Sequence, residues 1–161
     1  MLSIISMIDW TDLTAAGAGM LFGALLRRGC PGLKAVSVTG NEGFGARGLA
    51  AVVAVLGPRL ETIAFHGCGV GDGGVEAFAA AMPRLTALKR VYARYNACGD
   101  GGARAMAAAV RGARGLETLY MNGNPAVGAA AAAAELREAA AAAGVGDWDD
   151  DEDTGYQGPE E

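Results

Sequence analysis

The sequence predicts an α/β chain: a right-handed solenoid of about five strand-and-helix units, with a parallel β-sheet on the concave face and α-helices on the convex one. The first observation is a nine-residue pattern, apolar at positions 1, 4 and 6 and closing on a ninth residue that is mostly Asn. It reads Leu33-Val36-Val38-Asn41, Leu60-Ile63-Phe65-Cys68, Leu88-Val91-Ala93-Asn96 and Leu116-Leu119-Met121-Asn124. Its starts lie 27, 28 and 28 residues apart, room for one short strand, one helix and two corners per unit. The second observation is helical periodicity between the patterns. Leu49, Val52, Val53 and Leu56 stand at i, i+3, i+4 and i+7, as do Val75, Phe78, Ala79 and Met82, and Ala103, Met106, Ala107 and Val110. One apolar stripe per helix thus faces one strand, and each unit is covered by its neighbours.

Taken in order, the first unit is degenerate but aligns at a single offset of 31. Leu2, Ile5 and Met7 fall on Leu33, Val36 and Val38, and Leu13, Gly17, Leu21 and Leu25 fall on Phe44, Gly48, Val52 and Leu56. Trp10 stands in place of the Asn. In the third and fourth units, Gly71-Asp72-Gly73-Gly74 and Gly99-Asp100-Gly101-Gly102 occupy equivalent corners. Gly is expected there for positive φ, and Asp as the helix N-cap. Pro31, Pro58 and Pro83 fall near helix ends, where a residue unable to extend a helix belongs. The last unit runs through near-continuous alanine from Ala126 to Ala143, helical by propensity. Its register is weakly specified, since an offset of 83 puts Glu135 where Val52 packs, and it reads as a makeshift C-terminal cap. The expected organisation is a repeat domain over 2–143, with units starting near 2, 33, 60, 88 and 116, and a disordered acidic tail over 144–161.

The pattern Leu-x-x-Leu-x-Leu-x-x-Asn with a period near 28 resembles the leucine-rich repeat family, in its ribonuclease-inhibitor-like form. That resemblance implies a noncatalytic scaffold that binds a protein partner on its concave face. An array of this repeat followed by an acidic tail is also similar to the Ran GTPase-activating proteins, which implies as an alternative a regulator of a small GTPase. No catalytic Arg is assignable by motif. A third reading is a fragment of a larger receptor-type repeat array. Nothing precedes Leu2 to cover the first layer, so the chain is expected either to continue a longer array or to self-associate through its N-terminal edge.

Charge is divided unevenly. Residues 1–143 hold all 13 Lys and Arg against 10 Asp and Glu, whereas residues 144–161 hold eight acidic groups and no basic one. The modest positive balance of the body, with only Arg90 and Arg94 on the face, argues against nucleic acid as a partner. Three cysteines, Cys30, Cys68 and Cys98, do not suggest a disulfide framework, and Cys68 at the Asn position reads as a buried thiol. His66, Cys68 and Cys98 do not make the four-ligand set of a structural zinc site. Asp149, Asp151, Asp153 and Glu160 imitate a calcium loop, but Thr154 stands where that loop needs Gly. No nucleophile, phosphate-loop or metalloprotease motif occurs, and the single His excludes most general acid–base schemes. The chain is therefore expected to be no enzyme and to use no cofactor or metal. Its N-terminus is neither signal peptide nor membrane span, and an intracellular, cytoplasmic place is expected.

Strand alternation lets the concave face be read directly, because the residues between the apolar positions point away from the helices. The expected rows are Ile4, Ser6, Ile8; Ala35, Ser37, Thr39; Thr62, Ala64, His66; Arg90, Tyr92, Arg94; and Thr118, Tyr120, Asn122. The last three place His66, Arg90, Tyr92, Arg94, Tyr120 and Asn122 in one patch, with Tyr95 at its border. Arg and Tyr dominate binding hot spots, so this patch is the candidate partner-binding site, suited to an acidic protein. The acidic tail is expected to fold back on Arg90 and Arg94 and compete with that partner.

Overall fold

A computed structural model of the chain describes residues 4–5, 9, 11–28, 32–125 and 130–149. Strands and helices alternate: β1 (Ile4–Ile5), α1 (Ala15–Arg28), β2 (Ala35–Ser37), α2 (Gly45–Val55), β3 (Thr62–Ala64), α3 (Gly71–Ala81), a 3₁₀ turn (Met82–Arg84), β4 (Arg90–Tyr92), α4 (Asp100–Gly112), β5 (Thr118–Tyr120), α5 (Ala130–Ala143) and β6 (Asp147–Asp149). The strands form one sheet in the order β1-β2-β3-β4-β5-β6, every neighbouring pair parallel. Consecutive helices pack on one another beside it. The result is an α/β architecture that advances by one strand and one helix at a time.

Register follows the sequence offset. Ile5, Val36, Ile63, Val91 and Leu119 are lateral partners, and a sixth member, Trp148, extends the row. Val36, Ile63, Val91 and Leu119 are buried against the helices, as are Val38, Phe65, Ala93 and Met121 two residues on. The predicted helical stripes supply the other side of the core: Leu49 and Val52, Val75 and Phe78, and Ala103, Met106, Ala107 and Val110 are all fully buried. Phe65 and Phe78 meet edge to face at 5.6 Å across that interface.

The ninth-position side chains tie one unit to the next. Asn96 Nδ2 donates to the carbonyls of Phe65, Ala93 and Arg94 at 2.7–3.0 Å, while its Oδ1 accepts the Cys68 and Val70 N–H groups. Asn124 Oδ1 likewise accepts from Asn96 and Cys98, and Asn41 Oδ1 from Thr11 and Leu13. A carboxamide carries both donors and acceptor, so one side chain satisfies the orphaned amides of a buried turn. Cys68 fills the same place with a thiol, fully buried, which donates to Val38 O at 3.0 Å. Its sulfur also faces the Asn41 and Gly40 N–H groups, and burial pushes the thiol up to about 11.

Four features differ from the sequence reading. In the first unit, among the described residues, Ala18 and Phe22 of α1 are fully buried while Leu21 and Leu25 are only partly covered, as α1 packs on α2 and on no other described helix. The Gly-Asp-Gly-Gly corners carry no Asp N-cap: Val70 and Gly99 hold the cap positions without a side-chain bond, and Gly99 keeps a negative φ. Asp72 instead lies in the first turn of α3 and reaches across to accept the Gly99 N–H at the start of α4, where the helix dipole favours an anion. The glycines make room for it, since a Cβ on Gly99, Gly101 or Gly102 would stand 3.0–3.1 Å from the Asp72 carboxylate. In α5, Leu136 is fully buried with Ala132 and Ala139. Glu135 sits beside that stripe and meets Arg104 at 3.4 Å.

The fourth difference concerns the boundary at 143. The chain turns at Gly144 (φ +73°) in a Schellman motif, with Gly144 N–H to Ala141 O and Val145 N–H to Ala140 O. It then adds Asp147–Asp149 to the sheet beside β5. Val145 takes the place of Leu116 one unit later and packs against the core, so the acidic segment begins as a strand rather than as a tail. Residues 150–161, Cys30, Pro31, Trp10, Ser6 and Ile8 lie outside the described residues.

Candidate functional site

The sheet face turned away from the helices carries the variable residues, and its two halves differ. On the β1–β2 side Ala35, Ser37 and Thr39 are half-buried, and Asp9 closes over them. The Asp9 carboxylate accepts from Ser37 Oγ at 2.6 Å and from the Thr39 N–H at 2.9 Å. Those polar groups are thus satisfied internally. Asp9 arrives from a turn rather than a strand, so strand alternation gives no sign of it.

The β3–β5 side presents a ladder of rings. Tyr92 and Tyr120 are register partners, and their rings meet edge to face at 5.4 Å. His66 lies on the other flank of Tyr92 at 5.7 Å. The Arg94 guanidinium covers the Tyr120 ring at 4.2 Å from its centroid, a cation–π distance. The Arg94 backbone N–H donates to His66 Nδ1 at 3.1 Å, which requires that nitrogen unprotonated. Burial, with the Arg94 charge adding to it, lowers His66 to about 4, so the imidazole is neutral near pH 7. His66, Tyr92, Arg94 and Tyr120 therefore form one connected aromatic and cationic surface.

Arg90 stands apart from it. It is exposed two residues before Tyr92 and pairs with Glu117 at 3.6 Å, and Glu117 also pairs with Lys89 at 3.3 Å. Along a strand its Cα is roughly 13 Å from that of Arg94, so the two arginines do not act at one point.

Asn122 does not belong to the exposed patch. It is 1% exposed, and Thr118 on the same strand is 6% exposed. With β6 added, β5 is an interior strand flanked on both sides, whereas the sequence reading made it the sheet's edge.

Tyr95 borders the patch in a conformation that the sequence gives no warning of. Gly40, Gly67 and Gly123 hold positive φ at the equivalent place in their units, and Tyr95 adopts the same left-handed geometry at φ +54°. Its ring lies over Gly123, where an added Cβ would come within 2.2 Å of it. Against the backbone preference of a bulky residue, an aromatic side chain is held at the rim of the face.

Comparison with protein-family models and with curated proteins gives no match. Cys68 and Cys98 are buried free thiols; burial, with Asp72 nearby, raises Cys98 to about 12. Neither is poised as a nucleophile or thiolate ligand. Among the described residues no helix is long and apolar enough to cross a membrane.

Proposed function

We propose that the chain is a leucine-rich repeat solenoid of the ribonuclease-inhibitor-like kind, serving as a noncatalytic module that binds a protein partner on its open, concave sheet face. The observation that carries this reading is the ladder His66–Tyr92–Tyr120 with Arg94 laid over its last ring. Rigid rings and a guanidinium pre-positioned by stacking lose little entropy on binding and offer both apolar area and directed donors. The in-register rows and the Asn-linked turns support the repeat assignment, since each unit repeats the same bonds to its neighbour.

The partner contacts assigned are His66, Tyr92, Arg94 and Tyr120, with Arg90 and Tyr95 at the rim. Arg94 gives the face its positive centre, which suits an acidic epitope. The test compares the full chain with an Arg94→Ala/Tyr120→Ala variant in quantitative crosslinking from the native source, with circular dichroism confirming that both fold. Proteins captured by the parent should be depleted at least about tenfold in the variant, as expected for a hot-spot pair. An unchanged set of captured proteins overturns the assignment of this face.

A further inference from the structure

Among the described residues, most cations gather at one edge of the sheet. Where the strands begin, Lys34, Glu61, Lys89 and Glu117 precede β2, β3, β4 and β5 as an alternating row. Both carboxylates of that row are already neutralised, Glu61 by Lys34 at 2.9 Å and Glu117 by Lys89 at 3.3 Å. Around them the helix ends and connecting loops carry Arg27, Arg59, Arg84, Arg111 and Arg114, all exposed and, among the described residues, in no ion pair. The opposite edge, where the strands end, carries Asp12, Glu42, Asp72, Glu76 and Asp100 against Arg47 and Arg104, the latter beside Asp100. The body's small positive balance therefore conceals an uneven distribution, with most unpaired arginines among the described residues at one edge.

Helix C-termini favour basic residues through the macrodipole, which accounts for Arg27 and Arg111 in last turns. It does not account for Arg59 and Arg114, which lie in the loops beyond the helices. Between the 3₁₀ turn and the loop after α4 the same edge opens into a cleft of about 290 Å³, lined by Met82, Leu85, Leu88 and Ala113 with Thr86 and Arg114 at its side. Arg84 belongs to that turn, held by its bond to Val53 O. Arg59 is brought close because the Ala87 N–H donates to Pro58 O at 3.1 Å. The edge thus carries an apolar notch with Arg114 in its lining, while Arg59 lies in the adjoining loop and Arg84 on the adjoining turn, its guanidinium resting on Val53 O. The size of the notch suits one large side chain rather than a cofactor.

We propose that this edge docks an acidic peptide segment bearing one large apolar residue, which seats in the Met82–Leu85–Leu88 cleft while flanking carboxylates pair with Arg59, Arg84 and Arg114. Guanidinium groups match carboxylates in a bidentate fork, and the charge complementarity sets the partner's sign. Nucleic acid fits less well. The helices end here, so the edge offers none of the N-terminal amide cradles that hold phosphates. This surface is separate from the ring ladder and does not depend on it.

Fluorescence polarisation with the full chain tests the proposal. The probe is a labelled heptapeptide with a central Trp flanked on each side by three acidic residues, compared with its Trp-to-Ala form and with an oligothymidylate of equal charge. Saturable binding is expected at about 50 mM salt, falling at least about tenfold by about 500 mM as the charges are screened. Arg84→Glu with Arg114→Glu should weaken binding at least about tenfold, and the Trp-less peptide should bind about fivefold more weakly. Arg114→Gln serves as the milder variant should the double one unfold, with a loss of about threefold. Arg47→Glu, at the opposite edge, should change nothing. Failure of the parent chain to saturate, an equal loss in Arg47→Glu, or tighter binding of the oligothymidylate overturns the assignment, the last by giving the edge to nucleic acid.

Discussion

At the scale of one residue, Tyr95 sets a backbone cost against the contact role proposed for it. Returning it to the Gly used at Gly40, Gly67 and Gly123 removes the left-handed strain of a bulky residue, a relief of about 1 kcal/mol. Tyr95→Gly should therefore raise the denaturation midpoint while reducing partner capture on the open face, and loss of both stability and capture would contradict this account. Cys68 invites the converse repair. Cys68→Asn supplies the carboxamide that Asn41, Asn96 and Asn124 supply, and urea denaturation should show a gain of about 1 kcal/mol. Asn96→Ala strands the Cys68 and Val70 amides and three carbonyls, and should cost about 3 kcal/mol or more. His66 adds a pH dependence of definite sign. Its ordinary value is 6.5 and its folded value about 4, so stability is full above pH 6.5 and falls as acid protonates the unfolded chain first, levelling off below about 4. The slope between those limits is at most about 1.4 kcal/mol per pH unit, and His66→Gln should flatten it.

Elements differ in how far their residues announced them. Strands β2 to β5 and helices α2 to α4 were legible because apolar spacing is dictated by burial, and the offset of 31 that pairs Ile5 with Val36 is the register observed. Stripes at either end were read less well. A helix with one packed flank does not need the pattern of a helix with two, so α1 turns Phe22 inward in preference to Leu21, and α5 turns Leu136 inward where a fixed offset pointed to Glu135. Leu136→Ala should cost about 2–4 kcal/mol by thermal or chemical denaturation, whereas Glu135→Ala, which breaks only a half-exposed pair with Arg104, should cost a few tenths or about 0.5 kcal/mol. Strand β6 escaped notice because Val145 and Trp148 preserve only two positions of the pattern inside an acidic run, whose charge argued for solvation. The mistaken edge at β5 followed from the same omission. Asp9 and the lateral reach of Asp72 had no periodic signal at all, since both depend on where a turn places a carboxylate in three dimensions.

Across the whole molecule the buried residues form one continuous core, and under the proposed repeat reading its stability is the sum of unit and neighbour terms. The neighbour terms here are unequal. Between the third and fourth units, and between the fourth and fifth, a buried Asn joins the turns; between the second and third, the joint is the sulfur of Cys68. Native-state hydrogen exchange should accordingly show slower opening for β4 and β5 than for β2, with Cys68→Asn narrowing the gap, and uniform protection across the sheet would contradict the inequality. Stretched end to end, as a tethered chain would be in a loaded assembly, the molecule should yield first between its second and third units. Its first two units should peel away at Cys68 in one step of extension while the remainder, with the ring ladder on it, holds its shape. On this account the thiol marks where the molecule should yield to force, a point outside the surface proposed for binding.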